Sequence, residues 1–350
     1  MSPIQMKINV AVTGLNATDN PGPGIPVIRC LKADKGLDVR IIGLSYETME
    51  PGIYLHDFVD KTYQIPYPSA GKDSLLERIK YIHAVEKIDL IIPNFDAELY
   101  SFIRMVDDLK AMGIATFLPT LKQYEDRHKN VLFEYGVKHG IQVPKSKAIF
   151  SVDEISGLSR EFTYPMVVKG KFYEAYIAYT SEQVHTYYHK LNAKWGLPII
   201  IQQFIQGNEY NVAALGDGEG NTIGAIPMRK LVLTDKGKAW AGVSLEEKGL
   251  MDMTRKLIKE TKWKSGLELE IMKDQSGQYF LLEINPRFPA WIYFTAGVGQ
   301  NLPAALARMA MGEKVMPYTD YQVGKMFIRY SMDHICDISE FDKITTLGEL

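Results

Sequence analysis

The stretch Leu281–Trp291, LLEINPRFPAW, most constrains what this chain can become. It reads as a short apolar strand running into a polar cluster, with Pro286 stiffening the exit. Residues two apart on a strand project to the same face. Glu283, Asn285 and Arg287 therefore share one face, and Leu282 and Ile284 the other. A carboxylate, an amide oxygen and a guanidinium side by side suit a hard divalent cation and the phosphate oxygens it bridges. A strand end with a chance ion pair has the same residues, so the tripeptide alone leaves both readings open.

The flanking sequence adds to it. LELEIM (267–272) alternates apolar and acidic residues, which puts Glu268 and Glu270 on one strand face. KDQSGQ (273–278) reads as a turn into the strand above. Glu270 and Glu283 stand thirteen residues apart on the two arms of this hairpin, where such residues can face one another. With Asn285 they supply three oxygen ligands, suited to Mg²⁺ (or Mn²⁺) carrying nucleotide phosphates. Such a site needs cations to balance the phosphates, and Lys129, Lys169 and Arg287 can provide them.

At 350 residues the chain is long enough for two or three domains. A formal net charge of -2 gives no bulk attraction to nucleic acid or to an anionic membrane. No run approaches the length of a membrane span, and the start shows no basic-then-apolar leader. Cys30 and Cys336 are far apart and lack ligand spacing, which points to a reducing cytoplasm rather than a disulfide framework.

The N-terminal part alternates strands and helices. KINVAVT (7–13) is a strand, the loop 14–24 follows, and a helical pattern runs from Ile25 to Lys35, the start of a βαβ unit. The loop is not GxGxxG, so no dinucleotide fingerprint is present. Its Asn20–Gly24 segment is either turn chemistry or a ligand loop at the carboxyl end of a parallel strand. VRIIGL (39–44), TYQIP (62–66), Leu90–Ile92 and IATFL (114–118) continue an open parallel sheet through about residue 119. Asp96 and Glu98, at one strand exit, can bind a substrate amine or cap the helix that follows.

A helix is expected over Leu121–His139, carrying the polar run EDRHKN (125–130). A small α+β unit over about 141–200 follows, with the strand YPMVVKG (164–170) ending near Lys169. That lysine is either a snorkelling edge residue or part of a phosphate site. Ile199–Ile205 and Tyr210–Leu215 are strands, with Glu209 opening the second. IGAIPMRK (223–230) is a strand ending at Arg229 and Lys230, helices are expected over 245–262 and 302–311, and the last forty residues hold one strand, Met326–Tyr330.

In order and spacing these elements resemble the ATP-grasp superfamily, the group of D-alanine–D-alanine ligase, biotin carboxylase and the large subunit of carbamoyl-phosphate synthase, and most of all its carbamoyl-phosphate-synthase-like branch. The resemblance runs from the N-terminal sheet to about residue 315. It implies a mixed α/β and α+β fold in three parts: an N-terminal open parallel sheet (1–119), a linking helix with a small central lid (120–205), and a C-terminal antiparallel-sheet domain with the metal site (206–350). HKNVLFEYGVKHGIQVP (128–144) matches the helix that carries a phosphate-contacting lysine, here Lys129; His128 stands where an Asp is usual. YPMVVK places Lys169 on the second phosphate lysine. IIIQQFIQGNEY (199–210) matches the adenine hinge, with Gln202, Gln203 and Ile205 at the backbone positions that read adenine and Glu209 on the ribose hydroxyls. Glu270, Glu283 and Asn285 fall on the metal ligands, and Arg287 on the arginine near the transferred phosphoryl group. After Lys169 the family's Gly-rich loop is replaced by GKFYEAY.

The resemblance implies an ATP-dependent carboxylate–amine ligase. It activates a carboxylate as an acylphosphate and joins it to an amine, with release of ADP and phosphate. Arg229 is the expected contact for the carboxylate or the developing oxyanion. Asp96, Glu98 and Trp291, within the aromatic stretch Phe288–Phe294, are the expected substrate contacts. Small-molecule or peptide substrates, no nucleic acid, no membrane and a homodimer complete the expectation. Two alternatives stay open: a nucleotide-binding module without turnover, motivated by the replaced loop, and a bicarbonate-using carboxylase or carbamoyl-phosphate-type enzyme.

Overall fold

The structure is a computed structural model and describes residues 5–17, 20–171 and 174–350. The aromatic pair Phe172 and Tyr173 of GKFYEAY, and the first four residues of the chain, lie outside the described residues.

The N-terminal segment forms β1 (Met6–Val12), α1 (Gly24–Ala33), β2 (Leu37–Ser45), β3 (Lys61–Gln64), α2 (Lys72–Glu86), β4 (Leu90–Ile92), α3 (Asp96–Arg104), α4 (Val106–Ala111) and β5 (Ala115–Thr116). The strands pair in parallel in the order β3-β2-β1-β4-β5. Their apolar runs are continuous because each face is covered. On one side Val10, Val12, Ile41 and Ile92 pack with Val27, Ile28 and Leu31 of α1. On the other, Ala11, Ile42, Leu44 and Ile91 pack with Ile79 and Ile82 of α2 and Phe102 of α3. At roughly 1.5–3 kcal/mol for each fully buried large aliphatic side chain, this two-sided covering is the main force holding the sheet. The β1–α1 loop folds back tightly: Gly24 N donates to Gly14 O at 2.9 Å, and a Cβ on Gly24 would lie 2.3 Å from the Thr13 carbonyl oxygen.

The middle of the chain forms α5 (Leu121–Asp126), α6 (Leu132–His139), β6 (Ser146–Ile149), β7 (Met166–Lys169), β8 (Ala175–Ala178), α7 (Ser181–Trp195) and β9 (Ile199–Gln203). The four strands make an antiparallel sheet in the order β6-β9-β7-β8. Its core is Met166, Val168, Ile199 and Ile201 against Val184, Tyr188 and Leu191 of α7. The single helix expected over 121–139 is broken at residues 127–131, and Lys129 sits in the break. There its ammonium reaches the Glu283 carboxylate at 3.2 Å. Tertiary contacts such as this one can override the helical periodicity of a segment.

The remainder forms β10 (Gly207–Asp217), β11 (Thr222–Leu233), β12 (Ala239–Ser244), α8 (Lys248–Thr261), β13 (Lys264–Asp274), β14 (Tyr279–Asn285), α9 (Tyr293–Gly297), α10 (Leu302–Ala310), β15 (Met326–Ile328) and α11 (Ile338–Leu347). The sheet order is β14-β13-β10-β11-β12-β15. Arg229 was expected at a strand end, but β11 runs on to Leu233 and leaves Arg229 exposed within it. The last forty residues hold α11 as well as β15, and the chain end adds to β3: Leu350 and Thr62 exchange backbone bonds of 2.9 and 3.0 Å.

The chain divides into two compact units. The larger comprises Met1–Tyr124, Asn211–Glu268 and Asn285–Leu350, and the smaller Glu125–Tyr210 and Leu269–Ile284. This differs from three consecutive segments cut at 119/120 and 205/206. The long strands β10, β13 and β14 each carry residues of both units, so divisions in space do not follow single cuts in sequence. Among the described residues no helix is long and apolar enough to cross a membrane.

Candidate active site

Eight of the expected residues fall in the smaller unit: Lys129, Lys169, Gln202, Gln203, Ile205, Glu209, Glu270 and Glu283. Lys169 is the last residue of β7, held between Ile200 of β9 and Ala175 of β8. Burial pushes its ammonium below the ordinary lysine range. The Glu283 carboxylate pulls it back up, Lys129 lowers it further, and Glu270 and Glu209 raise it. Lys169 thus feels the charge of every other charged member of the expected set in this unit. Lys129 and Glu283 are both largely enclosed, with side chains 20% and 25% exposed. An ion pair this shielded interacts more strongly than one in open solvent. Glu270 on β13 and Glu283 on β14 are carried by neighbouring strands, as their spacing requires.

The expected hinge follows from β9. Gln202 is buried and pairs with Ser146 and Val167, while Gln203 is exposed. The Gln203 backbone N–H donates to Lys145 O at 2.8 Å, and its side-chain oxygen accepts from Lys145 N at 3.3 Å. Ile205 and Glu209 lie just beyond, both half-buried.

The larger unit holds a second cluster centred on Glu268, which is 7% exposed. Its Oε1 accepts from Asn211 Nδ2 at 2.9 Å and from Trp291 Nε1 at 2.8 Å. Its Oε2 accepts from Asn285 Nδ2 at 3.2 Å and lies 3.9 Å from the Arg287 guanidinium. Arg287 also pairs with Asp96 at 3.2 Å. Asp96, Asn285, Arg287 and Trp291 are therefore brought together, and the residue joining three of them, Glu268, was not among the expected site residues. Its alternation with Glu270 was the available signal.

Glu98 departs from the substrate expectation. It is fully buried, and Oε1 accepts from Asn94 N at 2.7 Å, Phe95 N at 3.0 Å and the Thr13 hydroxyl, while Oε2 accepts from Tyr46 OH. These bonds satisfy the start of α3 and pin it to β1, which is the capping alternative. Beside it Glu50, 5% exposed, accepts from the backbone N–H groups of Tyr46 and Glu47 at 2.8 and 3.2 Å. Burial, reinforced by Glu98 and Glu47, raises its pKa to about 7. A cavity of about 10 Å³ lined by Pro93, Leu99, Ser265, Arg287 and Phe288 has room for about one water, not for a substrate. Among the described residues no group of three or more His, Cys, Asp or Glu side chains could hold a metal ion. The expected set, two carboxylates and an amide, is not such a group.

Residues 197–330 match the family model described as ATP-grasp in the biosynthetic pathway with Ter operon. The solved biotin carboxylase domain of Hydrogenobacter thermophilus 2-oxoglutarate carboxylase, in complex with MgADP, ADP and bicarbonate, superimposes with a TM-score of 0.70 at 19% identity, covering 92% of this chain and 74% of that one. The chain has the ATP-grasp fold. The L-amino acid ligase of Bacillus licheniformis shares the ATP-grasp fold with it at a TM-score of 0.66, 15% identity, and 87% and 74% coverage. In sequence it is similar to the carbamoyl phosphate synthase large chain of Clostridium beijerinckii, 26% identical over 279 residues, which span 74% of this chain and 24% of that protein. The large chain of Agathobacter rectalis is 22% identical over 304 residues, 82% of this chain and 27% of that one. This chain thus spans about a quarter of the length of these relatives. The matched segment contains Glu209, Glu270, Glu283, Asn285 and Arg287, while Lys129 and Lys169 lie upstream of it.

Proposed function

We propose that this protein is an ATP-dependent ligase that joins a carboxylate to an amine. The observation that carries the reading is the gathering of Lys129, Lys169, Glu209, Glu270 and Glu283 in one small unit, with Lys129 and Glu283 paired at 3.2 Å and all four neighbours acting on the Lys169 ammonium. Lysines beside carboxylates at this density suit a polyphosphate with its divalent cation. Glu270, Glu283 and Asn285 are the proposed Mg²⁺ or Mn²⁺ ligands, all oxygen donors of the class a hard cation takes. When bound, the ion neutralises phosphate charge and orients the nucleotide. Lys129 and Lys169 are the proposed phosphate contacts, the β9 exit from Gln202 to Ile205 the adenine contact, and Glu209 the ribose contact.

In the proposed reaction a carboxylate oxygen attacks the γ-phosphorus and ADP leaves. The amine nitrogen then attacks the acyl carbon, the C–O bond to phosphate breaks, and the amine loses a proton. Little covalent help is required; positioning and charge neutralisation suffice. Arg287, held by Asp96, is the proposed contact of the transferred phosphoryl group, and Trp291 and Asp96 border the proposed acceptor side. Arg229, exposed on β11, has no comparable support as the oxyanion contact.

The relatives also favour a second reading, a bicarbonate-using enzyme, since carbamoyl phosphate synthases and biotin carboxylase domains are among them. A screen for ADP and phosphate release with ATP, Mg²⁺ and pooled amino acids and small acids, run with and without bicarbonate, separates the two. Release that requires an amine and a carboxylate supports the ligase. Release that requires bicarbonate alone supports the second reading. Binding of Mg·ATP with no release under any pairing leaves a nucleotide-binding module. A homodimer is the proposed assembly, and with both cysteines unpaired the cytoplasm is the proposed location.

A further inference from the structure

We infer that Glu268 is a positioning residue whose charge fixes which end of the Asn285 amide serves the cation, and that it ties this choice to Arg287 and to the Trp291 side of the site. The inference rests on the ligase reading for the identity of the cation site, and deepens it.

An asparagine amide has two nearly isosteric ends of opposite hydrogen-bonding character, and only the oxygen can ligate a cation. Nothing in the covalent structure prefers one orientation; the neighbours decide. Here the neighbour is a carboxylate. Glu268 Oε2 takes the Asn285 Nδ2 hydrogen at 3.2 Å, so Oδ1 is the end directed away from Glu268. The other carboxylate oxygen is committed as well, to Asn211 Nδ2 at 2.9 Å and Trp291 Nε1 at 2.8 Å. Trp291 Nε1 can only donate, so it fixes this end of Glu268 as an acceptor. The Asn285 end is then also an acceptor only because Glu268 is a carboxylate with two oxygens. A glutamine there has one.

Burial makes the arrangement stringent. Glu268 is 7% exposed, Asn211 1% and Asn285 7%, so a donor turned toward a donor has no water to rescue it. The Arg287 guanidinium, 3.9 Å from Oε2, supplies a compensating positive charge. Asp96, on the far side of Arg287 at 3.2 Å, limits how far the guanidinium can drift. One buried carboxylate thus sets an amide orientation and an arginine position together.

The test is a pair of substitutions that each weaken binding alone and compensate when combined. In Glu268→Gln the single remaining oxygen stays with Trp291 and Asn211, and the new NH₂ meets Asn285. The Asn285 amide turns over and presents Nδ2 to the cation. Mn·ADP binding by calorimetry should weaken about 10–100-fold, the range seen when a partner of a metal ligand is lost. Asn285→Asp alone places two carboxylates face to face and should also weaken binding. Combined, the two changes restore the match: the introduced glutamine amide donates to an aspartate that has oxygen at both ends. The double variant should bind Mn·ADP at least about tenfold more tightly than either single variant, a coupling of the size that neighbouring groups in one network show. A merely structural role for Glu268 predicts additive losses and no rescue, and that result overturns the inference, as does wild-type binding by Glu268→Gln. If the wild-type protein binds no Mn·ADP, the nucleotide reading itself falls and takes this inference with it, which is a distinct outcome.

Discussion

At the residue scale, the cluster around Lys169 carries the most direct prediction. Lys169→Ala removes a cation that four neighbours sense, so ADP release should fall by at least about a hundredfold while the thermal transition stays near that of the parent. Glu283→Ala removes the partner of Lys129 and a proposed metal ligand together, and should show the same loss in the same assay. Wild-type rates in either variant would remove these residues from the site. Glu50 makes a separate prediction about pH. Its pKa is raised to about 7, chiefly by burial, above the ordinary carboxyl value of 4.5. Between those values the folded chain holds the proton more tightly than the unfolded one, so this group's contribution is complete below about pH 4.5 and is lost as pH rises through about 7. Glu50→Gln keeps an oxygen for the Tyr46 and Glu47 backbone donors and cannot ionise. It should leave stability near pH 4.5 unchanged and raise it at pH 8 by about 3 kcal/mol, read as a gain in the denaturation midpoint.

At the scale of elements, the β1–α1 loop is built so closely that it tests the packing argument. A Cβ on Gly24 would meet two backbone oxygens, those of Thr13 at 2.3 Å and Gly14 at 2.5 Å, and neither can swing aside as a side chain would. Gly24→Ala should destabilise the protein by about 2 kcal/mol in denaturant melts. Most elements were legible because their patterns are local. The doubly buried strands β1, β2 and β4 announce themselves as apolar runs, and the β13–β14 hairpin through the spacing of Glu270 and Glu283. What was not legible is long-range. The break between α5 and α6 holds an ion pair with a residue far along the chain. Glu98 reads as a site acid from its position and is a cap because Thr13 and Tyr46, distant in sequence, close over it. Glu268 was visible as a strand-face acid, but its donors Asn211 and Trp291 come from two other segments.

At the scale of the whole molecule, a ligand that binds only the folded chain stabilises it by mass action. Mg·ADP at about a hundred times its dissociation constant should contribute about 2.7 kcal/mol and raise the melting temperature. The shift should vanish in Lys169→Ala if that lysine contacts the phosphates; an undiminished shift would separate nucleotide binding from this residue. The larger unit has a further property, which concerns how it is made. Its three segments come from the start, the middle and the end of the chain. The core on one face of the parallel sheet, which joins Ala11 and Ile42 to Phe102 and Tyr124, needs only the first segment. The core on the other face joins Ile8 and Val10 to Leu302 and Ile344. During synthesis at roughly 5–20 residues per second, one side of β1 can close once Tyr124 is made, while the other waits roughly 11–44 seconds longer for Ile344. For that interval this apolar sheet face lacks its partners in α10 and α11.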